Sequence, residues 1–288
     1  MLGLEVIDWW SKLFVFDNYG ELVVLLQNSI IAGALLGVVG GLIGVFVIAR
    51  DMPFAVHGIS ELSFAGASAG LLFGIGVVPG ALGGSLLAAL LIGVLGARAR
   101  DRNSITAVIM PFGLGLGILC LSLYSGRAAN KFGLLTGQIV AIDDPQLGAL
   151  LAISALVVLG LLLIWRPLLF ASVDADVAAA RGVPTWGLSL VFMILLGLAV
   201  AVSVQIVGAL LVLSVLVTPA AAALRISSSP VLVPVLSVVF AVTSMVGGIM
   251  LALGGSIPIS PYVTTISFLI FVVCLVISKI RGRARATA

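Results

Sequence analysis

Long uncharged runs make up most of the chain, and short segments rich in charge, glycine or proline separate them. A helix needs about 20 apolar residues to cross the hydrocarbon core of a bilayer. The pattern therefore predicts about nine transmembrane helices, near residues 22–48, 54–76, 78–97, 104–125, 145–165, 186–203, 205–224, 230–253 and 261–280. The predicted fold is an all-α integral membrane protein, built as a polytopic helical bundle.

The longest of these runs, residues 186–224, has no ionisable side chain. Two spans of about 19 residues each fit a hydrocarbon core of roughly 30 Å better than one helix of the full length. Ser203 and Gln205 are polar positions near the middle of the run. They predict a tight turn there, on the outer side of the membrane.

The composition excludes a soluble globular protein, in which roughly 25% of residues are charged. In this chain 62% of residues are hydrophobic and 9% are charged. The 34 glycines favour close contacts between helices in lipid, and Gly33, Gly37 and Gly41 recur at every fourth position. Cys120 and Cys274 lie in separate apolar segments, so neither a disulfide nor a thiolate metal site is predicted.

Charge on the connecting loops gives a direction to the predicted spans. One side of the membrane collects most of the basic residues: Arg50, Arg98, Arg100, Arg102, Arg166, Arg181, Arg225, Lys279, Arg281, Arg283 and Arg285. The other side has Lys12, Arg127 and Lys131. The crowded side is expected to be cytoplasmic, which puts the N-terminus outside. Because basic residues beside spans are topology signals, the net charge of +3 predicts membrane lipid and no nucleic acid as a partner.

The same pattern divides the chain into three parts. Residues 1–21 are predicted as an N-terminal segment in the membrane interface, because Trp9, Trp10, Phe14 and Phe16 lie there among charged side chains. Residues 22–280 are the transmembrane domain, and 281–288 are a basic cytoplasmic tail.

One cytoplasmic loop, residues 166–185, is long and patterned, and it predicts a short helix over 172–183. Ser172 or Asp174 can cap its start, and Asp174 and Asp176 suit the positive end of a helix. Arg181 followed by Gly182 ends it. Such a helix of about two turns can dock into a groove on a cytosolic protein. The alternative is an ordinary surface loop with one helical turn.

His57 and Glu61 lie four residues apart in the second predicted span, so they share a helix face. An ionisable side chain within a span costs about 2.5–3.5 kcal/mol and normally faces a partner or a pathway. Imidazole nitrogen and carboxylate oxygen are acceptable ligands for Mn²⁺, Fe²⁺ or Zn²⁺. The alternative is that Glu61 hydrogen-bonds to a neighbouring helix and His57 packs as a neutral residue.

Two further polar features are predicted. Asp143 and Asp144 form an acidic turn outside the fifth span, which could receive a cation or meet an external protein, although a plain acidic turn before Pro145 is the commoner explanation. Thr218 and Pro219 predict a kink in the seventh span, because proline frees a backbone carbonyl.

Three segments together resemble the permease subunits of ATP-binding-cassette (ABC) importers for zinc, manganese and iron. RDMPFAVHGISELSFAGA, residues 50–67, resembles the second-span motif of that family. DADVAAARGV, residues 174–183, resembles its coupling segment. VGALLVLSVLVTPAAAALR, residues 207–225, is similar to its run from Val-Gly-Ala-Leu-Leu to Pro-Ala-Ala. The resemblance covers about residues 22–280.

The resemblance implies a permease in the bacterial plasma (inner) membrane, working as a homodimer. Cytoplasmic ABC ATPase subunits would dock on the coupling segment, through Asp174, Asp176, Ala179, Ala180 and Gly182. An extracytoplasmic metal-binding protein would deliver the divalent metal. The sequence has no phosphate-binding motif of the Gly-x4-Gly-Lys-Ser/Thr type. ATP is therefore assigned to the partner, and this chain is predicted to be a transport subunit without enzymatic activity or a permanently bound cofactor.

The family's Ser-His pair is Ser60-Glu61 in this chain, and the histidine lies at 57 instead. The predicted metal pathway comprises Glu61, His57 and Ser60, with further ligands from Asp51, water or the second copy. A carboxylate is a harder ligand than imidazole, which favours manganese or iron over zinc as cargo.

Two other functions fit the same sequence. The cargo could be a metal chelate such as haem or a siderophore, since related permeases of similar architecture carry those. A proton-coupled secondary metal transporter could instead use Glu61 as its proton carrier. Secondary transporters often have inverted repeats, and no convincing internal repeat is found.

Overall fold

The computed structural model describes residues 19–96, 99–126, 142–253 and 258–286. Every regular element in those ranges is a helix: α1 (Tyr19–Leu25), α2 (Gln27–Ala49), α3 (Pro53–Leu72), α4 (Val77–Leu95), α5 (Ala99–Leu123), α6 (Asp144–Val173), α7 (Ala175–Ala180), α8 (Thr185–Val207), a 3-10 turn (Ala209–Leu211), α9 (Val212–Leu216), α10 (Thr218–Ile226), α11 (Leu232–Ala252) and α12 (Ile259–Ala286). Most of the predicted interfacial segment, Arg98, Arg127, Lys131 and the last two residues of the basic tail lie outside the described residues.

The predicted all-α membrane bundle is confirmed. Seven described helices are long and apolar enough to cross a membrane: α2, α4, α5, α6, α8, α11 and α12. Helix α3 has 20 residues but is less apolar, because it carries His57, Glu61 and several serines. The remaining predicted span, 205–224, is divided among the end of α8, the 3-10 turn, α9 and α10. The predicted number of nine spans is therefore approximate.

Helix α3 lies at the centre of one half of the bundle. Its most extensive contacts are with α4 and α5, and it also touches α8. Helix α2 packs mainly on α11 and also on α6, while α10, α11 and α12 pack together. The residues of α3 are largely buried by these neighbours, so its polar side chains are enclosed by protein.

The glycines of α2 permit a close helix contact, as the sequence pattern predicts. A Cβ atom on Gly37 would lie 2.7 Å from the Cα of Val242, and one on Gly41 would lie 2.6 Å from the Cα of Val238. Real side chains do not tolerate such distances from backbone. The absence of a side chain at these positions therefore sets the spacing between α2 and α11.

The predicted turn at Ser203 and Gln205 is wrong in position. Both residues are buried inside α8, and Ser203 Oγ donates to the Ala199 carbonyl at 2.7 Å. The helix ends instead at Gly208, whose φ of +83° is readily adopted only by glycine. Serine can satisfy its hydroxyl within a helix, so a polar side chain alone does not break one.

Helix α6 is longer than the predicted fifth span. It continues past Pro167 and ends at Val173, whereas the prediction ended it at residue 165. Its 30 residues correspond to about 45 Å, against roughly 30 Å for the hydrocarbon core. The first part of the predicted loop is therefore a helical extension that holds α7 beyond the apolar layer.

Candidate functional site

Helix α3 places an acid and an imidazole side by side inside the bundle. His57 Nε2 lies 3.7 Å from Glu61 Oε1, and the His57 side chain is 26% exposed. Glu61 is only 2% exposed. At 1.5 Å per residue, the two positions lie about 6 Å and about 12 Å along the axis from Pro53. The pair is therefore in the half of α3 that is nearer to α7.

Two polar atoms of this pair have no hydrogen-bond partner within the described part of the chain. They are His57 Nδ1 and Glu61 Oε2, and both are buried. Ser60 donates its hydroxyl hydrogen to the His57 carbonyl at 2.8 Å, so that hydrogen is not directed at Glu61. A buried carboxylate without a partner is costly unless a proton or a cation joins it. The arrangement therefore suits the binding of a proton or a cation better than it suits a packed core.

The donor atoms of this pair are acceptable to Mn²⁺, Fe²⁺ or Zn²⁺. The described residues contain no group of three or more His, Cys, Asp or Glu that could hold a metal. Asp51, a predicted ligand, is exposed in the turn before α3. It lies beyond Pro53, which is about 12 Å from Glu61 along the helix axis. Within one chain the structure therefore brings His57 and Glu61 together and leaves Asp51 apart.

The predicted coupling helix is the short helix α7. Asp174 Oδ1 accepts hydrogen bonds from the backbone N–H of Asp176 at 3.1 Å and of Val177 at 2.9 Å. Asp174 is thus the capping residue, while Ser172 belongs to the last turn of α6. The helix has six residues, which is fewer than two turns and shorter than the predicted 172–183.

Helix α7 presents most of its side chains to the surroundings. Ala178 is the one buried residue in it, whereas Val177, Ala179 and Ala180 are exposed. Gly182 follows the helix with a φ of +85°, a conformation that glycine permits. The exposed side of α7 is therefore available to a protein outside the bundle.

A guanidinium lies between the two segments that flank α7. Arg50 follows the last residue of α2, and its Nη2 donates to Ser189 Oγ at 3.0 Å. Its Nη1 lies 3.5 Å from Ser172 Oγ. The guanidinium carbon also lies 5.8 Å from the ring centroid of Phe192. One side chain therefore touches the end of α6 and the beginning of α8 at once.

A second arginine holds the turn that begins α3. Arg102 Nη2 donates to the carbonyl of Arg50 at 3.0 Å and to that of Asp51 at 3.3 Å. Asp51 has a φ of +53°, which few residues other than glycine adopt. Burial, and then the charge of Arg102, lower the pKa of the Arg50 guanidinium below its ordinary value. The contacts of Arg50 and Arg102 thus connect α2, α3, α5, α6 and α8 at the end of the bundle where α7 lies.

The predicted kink lies beside an interruption in the seventh span. Helix α9 ends at Leu216 and α10 begins at Thr218, with Val217 between them. Pro219 is in the first turn of α10 and has no N–H to offer the carbonyl of Val215. Whether the interruption moves during function stays a prediction.

The acidic turn is connected to another helix. Asn28 Nδ2 donates to Asp144 Oδ1 at 2.8 Å and to the Ile142 carbonyl at 3.2 Å. Asp143 and Asp144 are both exposed, at the opposite end of α6 from Ser172. Asp144 thereby helps to fix the start of α6 beside the start of α2, and a role towards an external partner stays a prediction.

The contacts made by Arg50 and Arg102 are not apparent from the sequence. In the sequence they are basic residues beside spans, and they count only towards topology. The partners Ser172 and Ser189 are more than 120 positions away from Arg50 in the chain. A weak signal was present, since Arg50 begins the segment 50–67 on which the family resemblance rests.

Comparison with known proteins gives a family match over most of the chain. The model of a family described as "ABC 3 transport family" matches residues 23–278. A manganese transport system membrane protein, MntC from Halalkalibacterium halodurans, is 29% identical over 225 residues, which are 78% of this chain and 77% of the relative. A manganese import system permease protein, ScaB from Streptococcus parasanguinis, is 31% identical over 206 residues, covering 71% and 73% of the two chains.

A solved structure has the same fold. It is PsaBC from Streptococcus pneumoniae in complex with a Fab fragment, with a TM-score of 0.80 and 25% sequence identity. The match covers 90% of this chain and 95% of that one. The arrangement of helices described above is therefore shared over nearly the whole length of both chains.

Proposed function

The chain belongs to the ABC 3 transport family, and on that membership we propose that it is the permease through which an importer moves a divalent metal cation across a bacterial membrane. It is a transport subunit and not an enzyme, and the ATPase is a separate chain. The observation that carries the proposal is the family match over residues 23–278. The buried Glu61 and the half-buried His57 beside it support a cation as the cargo.

We propose manganese as the preferred metal. Three relatives that are 29–31% identical to this chain over the aligned residues are named for manganese. Glu61 supplies a carboxylate oxygen, and oxygen ligands suit Mn²⁺, whereas no thiolate lies in the proposed site to favour a softer metal. Iron and zinc are the competing cargoes because imidazole suits both.

The proposed path passes His57 and Glu61. One chain supplies two ligands there, and Mn²⁺ commonly takes six in an octahedral arrangement. Water or a second copy of the chain would supply the others, and we propose that the permease works as a homodimer. Such a site holds the ion weakly, as conduction requires, because an ion that binds too tightly does not leave.

The proposed energy input is at α7. The exposed short helix, held out by the extended α6, has the form of a part that docks into a groove on another protein. ABC ATPase subunits would bind it on the cytoplasmic face through Asp176, Ala179 and Ala180 of α7 and through Asp174 and Gly182 at its ends. That orientation puts the C-terminus inside and the N-terminus outside, where a metal-binding protein would dock near Asp143 and Asp144.

Cells that lack this chain test the proposed cargo. We expect their manganese content to fall, and their growth in metal-depleted medium to recover when the chain is restored and manganese is supplied at low concentration. Zinc and iron, supplied separately, are expected to leave the difference between the two strains unchanged. Elemental analysis of washed cells is the measurement. A deletion strain with normal manganese and a loss confined to zinc, iron or haem would contradict the manganese assignment.

A further inference from the structure

Arg50 connects the segments on either side of the coupling helix α7. Ser172 lies two residues before the capping Asp174, and Ser189 lies four residues after α8 begins at Thr185. The guanidinium of Arg50 donates to the second of these hydroxyls at 3.0 Å and lies 3.5 Å from the first. Arg50 therefore contacts both helices to which α7 is attached, close to the points of attachment.

The same residue is joined through its backbone to the helix that carries the proposed metal pathway. Its carbonyl and that of Asp51 accept from Arg102, and α3 begins two residues later at Pro53. His57 and Glu61 then follow within about 12 Å along the axis. Met52, between the turn and the helix, is fully buried, so the start of α3 cannot shift independently of its surroundings.

Aromatic rings pack beside the guanidinium of Arg50 and restrict its position. Arg50 lies against Phe192 at 5.8 Å, and Phe192 in turn packs edge-on against Phe46, with ring centroids 6.1 Å apart. Phe46 also packs edge-on against Trp165, at 4.7 Å. These aromatic rings belong to α8, α2 and α6. The guanidinium therefore lies at a junction of three helices, and two of them, α6 and α8, flank and contact α7.

We propose that Arg50 is a positioning residue that transmits displacement of α7 to the start of α3, and so couples the partner's ATP hydrolysis to movement of the metal pathway. This inference rests on the proposed function. The physical reason for arginine is its planar fork, which offers several donors in fixed directions and a flat face to an aromatic ring. Lysine keeps the charge but offers a single ammonium, so it cannot contact both serines and the ring in the same way.

The test measures how tightly metal uptake is coupled to ATP hydrolysis, and not the rate of either process alone. The complete transporter, with its ATPase and metal-binding protein, is reconstituted in liposomes, and the number of Mn²⁺ ions taken up per ATP hydrolysed is determined. We expect Arg50→Lys and Ser189→Ala to lower this ratio at least about tenfold, because the loss of one hydrogen bond to a charged group corresponds to that factor or more. ATP hydrolysis itself is expected to continue near the wild-type rate.

Two matched substitutions serve as controls at the same end of the bundle. Arg281 and Ser228 are exposed, so Arg281→Lys and Ser228→Ala make the same chemical changes away from the junction and are expected to keep the wild-type ratio. Should Arg50→Lys fail to fold, Ser189→Ala still decides, because it removes one small hydroxyl.

A wild-type ratio in Arg50→Lys and Ser189→Ala would overturn the inference, whether both rates are retained or both fall together. In that case wild-type uptake driven by ATP would still support the proposed function. If the wild-type complex itself takes up no metal with ATP, the proposed function fails and the inference fails with it.

Discussion

Replacement of Glu61 by glutamine is expected to abolish metal uptake while leaving the protein folded. Glutamine has the same shape and keeps one oxygen acceptor, but it replaces the carboxyl group that lies 3.7 Å from His57 with an amide that cannot become a negatively charged ligand. Loss of groups that merely support a metal ligand typically costs about 10–100-fold in metal affinity. Removal of the charged ligand itself should reduce Mn²⁺ uptake by about 100-fold or more at wild-type protein levels.

The matched control for this substitution is Glu21→Gln. Glu21 is exposed near the start of α1, so it undergoes the same change of charge outside the bundle, and uptake should stay at the wild-type level. Uptake is measured with ⁵⁴Mn in cells in which immunoblotting shows equal amounts of each variant. Undiminished uptake of manganese, zinc and iron by Glu61→Gln would remove Glu61 from the pathway and leave the family membership untouched.

The substitution Gly84→Val is expected to disrupt the contact between α3 and α4. A Cβ on Gly84 would collide with the carbonyl oxygen of Leu62, and it would lie 3.1 Å from the Cα of Gly66. Both of these neighbouring atoms belong to the backbone, so a change of side-chain rotamer cannot relieve the clash. Overpacking of this kind costs about 1–3 kcal/mol and occasionally more, and Leu62 is the residue next to Glu61. Stability and transport should therefore fall together.

The neighbouring glycine provides the control. A Cβ on Gly83 meets nothing within 4 Å, so Gly83→Val makes the same chemical change on the open side of the same helix turn. Thermal unfolding of the two purified variants in detergent is the measurement, followed by size-exclusion chromatography. Equal melting temperatures for Gly83→Val and Gly84→Val would show that the separation of α3 and α4 is not set by this glycine.

The helical bundle could be predicted from the sequence because its causes are local. An apolar run of about 20 residues forms a helix in lipid whatever lies beside it, since every backbone polar group must be satisfied within the segment. The cap at Asp174 is equally local, because a carboxylate needs only the two N–H groups that follow it. The pairing of His57 with Glu61 follows from helix periodicity alone.

Features that depend on distant residues could not be predicted in this way. Helix α6 passes through Pro167, where the sequence suggested an end, and helix α8 passes through Ser203 and Gln205. The contacts of Arg50 join segments that are more than 120 residues apart, so no local pattern records them. The placement of Asp51 likewise depends on the turn before α3, whose unusual backbone is fixed by Arg102 from another helix.

The most direct test is Mn²⁺ accumulation in liposomes that contain the purified chain, with and without its ATPase subunits. The metal-binding protein is placed on the opposite face of the membrane from the ATPase. We expect accumulation only when both partners and hydrolysable ATP are present, with no accumulation from a proton gradient alone. Accumulation by the chain without the ATPase, driven by a proton gradient and lost in Glu61→Gln, would contradict the importer function and identify a proton-coupled transporter instead.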